Sequence, residues 1–197
     1  AQARAFTEEW VAPNAARHDR SGEFPADICR EAFRRGFMNS SIPKEYGGRG
    51  LGVLDHCLVT EELCTGCSGI GTAIDGNGLS QAPVILAGTH EQKKRFLAPM
   101  TEELMFSAYA VTEPEAGSDV ARVKTTATKV GNDYVVNGVK WWSTNGSVAS
   151  WYFVLARVGE APTGFVVPAD SPGIVRGPKE HNLGQHTSNT VRVTFEY

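Results

Sequence analysis

The chain has 197 residues, of which 41% are hydrophobic and 21% charged, and its formal net charge is −3. That length admits one domain or two and suffices to bury a core, and the composition is that of a soluble globular protein. Acidic and basic residues interleave without a basic stripe, which argues against a nucleic-acid partner, and no apolar run approaches the ~18 residues of a membrane span.

The sequence starts at Ala1, with no recognisable signal or transit segment. Its first half reads as helices. Residues 2–19 place Phe6, Trp10 and Val11 at helical spacing, with Pro13 expected to kink or interrupt the run. Residues 25–35 form a second helix: Pro25 suits the first turn, Ile28, Ala32 and Phe33 make an apolar face, and Gly36 stops it. Residues 42–52 are a glycine-rich loop. It lacks the Lys-Ser/Thr ending of a phosphate-binding loop and follows no strand, so an ordinary loop is expected. Residues 53–65 give a third helix with Leu54, Leu58 and Leu63 apolar and Glu61 and Glu62 outward.

Cys29, Cys57, Cys64 and Cys67 read as free buried thiols of a reducing compartment. Cys64 and Cys67 form a CxxC, but without a second pair or a thioredoxin-like context the expectation is packing at a helix end. Residues 68–87 read as one helix rich in small residues, and its glycines at 69, 71, 76 and 78 call for close packing or a ligand. Thr89 and Gln92 match a capping box that opens a helix through Phe96 and Leu97.

The pattern turns to strands near residue 107. Eight are expected, over residues 109–112, 123–130, 134–137, 139–143, 151–158, 163–167, 174–177 and 191–197. Gly131-Asn132-Asp133 and Asn137-Gly138 are the hairpin signals. The fold class is therefore α+β: an all-α domain over residues 1–107, then a β-barrel or sandwich domain over residues 108–197.

Two stretches carry the chemistry. Tyr109-Ala110-Val111-Thr112 runs into Glu113-Pro114-Glu115-Ala116-Gly117-Ser118-Asp119, a strand followed by a turn of small residues. Such a turn lets a ligand touch backbone N–H groups and suits a phosphate. Trp141-Trp142-Ser143-Thr144-Asn145 sets an indole beside hydroxyls, so that a planar heterocycle can lie on the ring while a hydroxyl meets its edge. Taken singly, a Ser/Gly turn is more often just a turn and a strand Trp is more often core. Together and in this order they resemble the acyl-CoA dehydrogenase family, whose motifs run A-V-T-E-P-x-A-G-S-D and W-x-T-N. The resemblance covers the whole chain and is closest to the medium-chain branch.

The resemblance implies bound FAD. Tyr109, Ala110, Val111 and Thr112 would lie beside the isoalloxazine. Gly117 and Ser118 would meet the pyrophosphate, Ser118 also touching acyl-CoA. Trp142 would cover the flavin face away from substrate, with Ser143 beside it and the Thr144 hydroxyl near the hydride-receiving atom. It further implies α,β-desaturation of a medium-chain or longer acyl-CoA to trans-2-enoyl-CoA in fatty acid β-oxidation. Electrons would pass to an electron-transferring flavoprotein, the protein would be a homotetramer, and the compartment would be the mitochondrial matrix, or the cytoplasm in a bacterium. The family's catalytic Glu lies on a C-terminal helical bundle that would follow Tyr197, so no catalytic base is expected here and the isolated chain is expected to be inactive. An acyl-CoA oxidase, or a non-catalytic flavin- or acyl-CoA-binding or assembly module, is the alternative.

Departures from the family pattern are Glu115 in place of Gly and Arg122 in place of a small residue, both read as surface features. The segment between Val158 and Thr163 is also shorter than in medium-chain relatives. In the small-residue helix, Gly71 and Asp75 replace a Gln and a Glu, four apart, at the floor of the acyl pocket, with Leu79 one turn on. Residues four apart share a helix face, so either a deeper acyl tunnel is expected or Leu79 or a neighbour fills the gap. Each buried methylene there would contribute roughly 0.8 kcal/mol. None of the five histidines is assigned to catalysis or metal binding.

Overall fold

The computed structural model describes residues 1–196. The chain divides into a helical unit, Ala1–Met105 with His181–Ser188, and a β unit, Phe106–Glu180 with Asn189–Tyr197. The break lies two residues before the expected boundary, and residues 181–188, expected in the β domain, group with the helices.

The N-terminal run does not break at Pro13. Helix α1 (Gln2–Phe6) continues through a π turn (Thr7–Val11) into α2 (Ala12–Ser21), and Pro13 sits in the first turn of α2. Proline lacks an N–H and its ring collides with the carbonyl four residues back. The wider π turn immediately upstream accommodates that misfit. Phe6 and Val11 are buried on this run. Helix α3 (Ala26–Arg34) buries Ile28, Cys29 and Ala32, and Gly36 follows it in the left-handed region, as a stop residue should. Burial pushes the Cys29 thiol up to about 12, so it is inert. Of the other cysteines, Cys57 is exposed and Cys64 and Cys67 are half-buried; all four are free, but only Cys29 is buried as expected.

The loop before α4 uses its glycines for itself: a Cβ on Gly48 would lie 1.9 Å from the Ile42 carbonyl oxygen. Helix α4 (Val53–Gly66) corrects the expected apolar face. Leu63 is buried, but Leu54 and Leu58 are exposed. The single helix expected over residues 68–87 is two, α5 (Ser68–Asp75) and α6 (Asn77–Ala87), separated at Gly76. Helix α7 (His90–Phe96) opens on the expected capping box, with Thr89 Oγ1 accepting from the Gln92 N–H and Gln92 Oε1 from the Thr89 N–H. A short α8 (Pro99–Glu102) ends the helical run. Among the described residues no helix is long and apolar enough to cross a membrane.

Among the described residues the β unit holds seven strands: β1 (Ser107–Ala110), β2 (Thr126–Val130), β3 (Asp133–Thr144), β4 (Trp151–Val158), β5 (Ala161–Pro168), β6 (Ile174–Lys179) and β7 (Thr190–Phe195). Tyr197, part of the last expected strand, lies outside the described residues. The order is β1-β4-β2-β3-β7-β6, with β5 pairing β4. Pairing is parallel at β1/β4 and β2/β4 and antiparallel elsewhere.

Eight strands became seven because Asn137-Gly138 is not a turn. Strand β3 runs straight through it and changes partner there: residues 133–137 pair with β2, residues 138–144 with β7. Gly138 has φ +155°, and a Cβ on it would lie 2.8 Å from the Thr125 Cα, so glycine serves a close backbone approach. Ala108, Ala110, Tyr152, Val154, Val191, Val193 and Phe195, from β1, β4 and β7, form one core. Tyr152 fits that core because its hydroxyl donates to the Gly146 carbonyl at 2.6 Å and accepts from Arg176 Nε at 2.8 Å.

Candidate functional site

The two motif stretches adjoin in the β unit. The Trp141 N–H donates to the Thr112 carbonyl at 2.9 Å. Beneath them lies Lys140, whose side chain is fully buried. Its Nζ donates to the Val111 carbonyl at 3.0 Å and to Glu113 Oε1 at 2.8 Å. The Glu113 carboxylate also accepts the N–H groups of Lys124 at 2.7 Å and Thr125 at 2.9 Å. Burial opposes ionisation of Glu113, but Lys140 and these N–H donors outweigh it and hold the carboxyl below its ordinary range.

Glu113 and Ala116 exchange backbone hydrogen bonds at 2.9 and 3.1 Å, making a tight turn after β1. Gly117, Ser118 and Asp119 then emerge exposed. No heavy atom lies within 4 Å of where a Cβ on Gly117 would sit, and its φ is not positive. Neither packing nor backbone conformation calls for glycine here, and the open space lets a ligand approach the main chain. Glu115 is exposed and paired with Lys124, so its charge is answered at the surface. Arg122 is exposed too, in a 3₁₀ turn over Val120–Arg122.

Trp142 stands on a bulge. The β3/β7 register shifts between Lys140 and Ser143, and Trp142 has φ +60°, a left-handed conformation that bulky residues avoid. The bulge turns its indole outward, 55% exposed, stacked on Trp141 with centroids 5.5 Å apart and planes at 25°. Trp141 is braced in turn: its Nε1 donates to Glu180 at 2.6 Å, and the Arg192 guanidinium lies 5.7 Å from its ring. Strain held at an outward-facing aromatic marks a functional surface more than a packing need.

The remaining expected contacts are distributed unevenly. Tyr109 is 37% exposed and stacks on Phe153 at 5.6 Å. Thr112 and Thr144 are half-buried. The Ala110 side chain belongs to the core, Val111 is buried, and the Val111 carbonyl is engaged by Lys140. Ser143 Oγ and both amide atoms of Asn145 are buried, with no hydrogen-bond partner among the described residues. An exposed indole on a strained bulge, and a bend with open space at Gly117, fit a planar ring joined to a phosphate.

In the helical unit, a cavity of about 470 Å³ is lined by Val53, Leu79, Ile85 and Leu86, with His56 and Asp75 paired in its wall. His56 Nε2 lies 3.0 Å from Asp75 Oδ1, and Thr60 Oγ1 donates to Asp75 Oδ2 at 3.3 Å. The hydrogen bond to Asp75, against the effect of burial, raises the His56 pKa. Asp75 and Leu79 thus meet in one cavity. Gly71 does not join them: a Cβ there would lie 2.6 Å from Cys64 Sγ and 3.3 Å from the Cys64 Cα and N. Gly71 lets α5 approach α4, so its lack of a side chain does not enlarge the cavity.

Sequence reasoning gave no role of their own to Lys140, Glu113, Trp141 or His56. A lone Lys between apolar strand residues was the available signal for Lys140. His56 has none, because its partner is 19 positions away across a helix pair.

Two family models match the chain, the acyl-CoA dehydrogenase N-terminal domain over residues 1–103 and the acyl-CoA dehydrogenase middle domain over residues 108–197. The chain is 48% identical over 204 residues to a probable medium-chain specific acyl-CoA dehydrogenase 2, mitochondrial, of Caenorhabditis briggsae, covering 100% of this chain and 50% of that protein. It is similar to butyryl-CoA dehydrogenase of Megasphaera elsdenii, with a TM-score of 0.92 and 32% identity, covering 98% of this chain and 53% of that one. A glutaryl-CoA dehydrogenase of Mycobacterium smegmatis in complex with FADH2 aligns with a TM-score of 0.91 and 28% identity, over 98% of this chain and 50% of that one. The chain therefore spans about half the length of the curated relative it matches.

Proposed function

The chain belongs to the acyl-CoA dehydrogenase family, and from that premise we propose that it carries the flavin-facing surface of an FAD-dependent enzyme. That enzyme desaturates a medium-chain or longer acyl-CoA to the trans-2-enoyl-CoA in fatty acid β-oxidation. The observation that carries this reading is the pairing of an outward indole at Trp142 with the bend at residues 112–118, tied through the Trp141 N–H to the Thr112 carbonyl.

FAD, when bound, supplies the acceptor for the hydride that leaves the β-carbon. The chain's own residues bind and orient. Trp142 covers one face of the ring. Thr112 and Thr144 present hydroxyls to its edge, where hydrogen bonds stabilise the charge that accumulates on reduction. Gly117 and Ser118 receive the pyrophosphate on open backbone, and Ser118 also contacts acyl-CoA. The cavity beside Asp75 and Leu79 takes the acyl tail, each buried methylene contributing roughly 0.8 kcal/mol. The base that removes the α-proton is not assigned to any of these residues.

The electron acceptor is an electron-transferring flavoprotein, the assembly a homotetramer, and the compartment the mitochondrial matrix, in line with the C. briggsae relative's name. In a bacterium it would be the cytoplasm. The test is reconstitution of the intact protein with FAD, followed by anaerobic addition of a medium-chain acyl-CoA. Uptake of one FAD per chain and bleaching of its absorbance are expected. Intact protein that binds no FAD, or holds FAD that acyl-CoA leaves unbleached, would overturn the reading.

A further inference from the structure

We propose that Lys140 is the positioning residue of the flavin-facing surface, a buried ammonium that pegs both motif stretches into one rigid piece; the proposal rests on the flavin reading above. Three successive residues on one side, Val111, Thr112 and Glu113, are each held by Lys140 or Trp141 on the other. Lys140 Nζ takes the Val111 carbonyl at 3.0 Å and Glu113 Oε1 at 2.8 Å, while the Trp141 N–H takes the Thr112 carbonyl at 2.9 Å. The register shift that turns Trp142 outward begins at Lys140 itself. The peg is thus fixed to the base of the bulge that carries the indole.

Glu113 extends the same node. Its carboxylate accepts the N–H groups of Lys124 and Thr125, so one side chain closes the loop over residues 113–124 that bears Gly117 and Ser118. One buried pair therefore sets three things at once: the Val111–Thr112 backbone, the Trp142 bulge and the mouth of the Gly117–Ser118 loop. Fold stability alone does not demand a charge there. Taking an ammonium and a carboxylate out of water carries a large desolvation cost, and apolar replacements of buried pairs are often neutral or stabilising. An apolar side chain at 140 would fill the space but hold neither the carbonyl nor the carboxylate. What the charged pair supplies, and an apolar pair would not, is placement of the site.

The test compares wild type with the Lys140→Met/Glu113→Gln double variant in the intact protein, where neither partner is left as a lone buried charge. Thermal unfolding without FAD, the FAD Kd and the two-electron flavin midpoint potential are measured. The expected result is a melting temperature near that of wild type, an FAD Kd raised about tenfold or more because the bulge and the Gly117–Ser118 loop are no longer pre-organised for the ligand, and a lowered potential. A folded double variant with wild-type Kd and potential overturns the proposal and leaves the flavin reading standing. Wild type that takes up no FAD overturns the flavin reading, and the proposal with it. Amide exchange in wild type needs no variant: the N–H groups of Trp141, Lys124 and Thr125 should slow at least tenfold on FAD binding, and unchanged exchange contradicts the proposal.

Discussion

At position 142 an indole occupies backbone that bulky side chains avoid, with φ +60°. A left-handed conformation costs such a residue roughly 1–2 kcal/mol, while stacking on Trp141 returns about 0.5–1.5 kcal/mol. The two nearly cancel. Trp142→Gly should therefore leave folding stability within about 1 kcal/mol of wild type, or raise it, because glycine adopts this φ freely. The same change should abolish tight FAD binding. Paired thermal melts and FAD titrations check this, and a variant that unfolds while wild type stands would mean the indole is a packing residue.

His56 makes a second prediction at this scale. Asp75 raises its folded pKa above the ordinary value of about 6.5. The pair therefore contributes its full stability below about pH 6.5 and loses it as pH rises through the raised value. The stability difference between wild type and Asp75→Asn should shrink across that range, read from melts at a series of pH values. A difference that stays constant from about pH 5 to pH 9 would remove the ion pair as its cause.

Elements decided what single residues could not. Asn137-Gly138 has the letters of a hairpin turn, yet β3 passes through it. The same glycine that permits a turn also permits close backbone approach, and only the Thr125 backbone beside it selects between them. Gly71 and Asp75 are four apart and so share a face in helical arithmetic, but the neighbouring α4 fixes where that face looks. Gly71→Ala should destabilise the protein by about 1–3 kcal/mol through overpacking against Cys64, with Cys64→Ala restoring part of the loss. Denaturant unfolding measures both, and Gly71→Ala with wild-type stability would return Gly71 to the cavity. Helix α4 shows the converse limit. Leu54 and Leu58 follow a periodicity that promises burial, yet they are exposed. The capping box at Thr89 and the stop at Gly36 were legible because their partners lie within three or four residues.

Across the whole molecule, the change from helix to strand near residue 107 was readable from the patterning, and the pairing of two motifs from their resemblance to a known family. The node that joins the motifs was not. Lys140 reaches residues 27 and 29 positions earlier, a link that no local pattern encodes. In the helical unit, exposed Val53, Leu79 and Leu86 also line the cavity.

The most direct measurement is tryptophan fluorescence during FAD titration, in wild type and in Trp142→Phe. Quenching that saturates in step with FAD uptake, and that is largely lost in Trp142→Phe, is the predicted result. Quenching of equal amplitude in both proteins, or FAD uptake that leaves wild-type fluorescence unchanged, would contradict the placement of the ring against this indole.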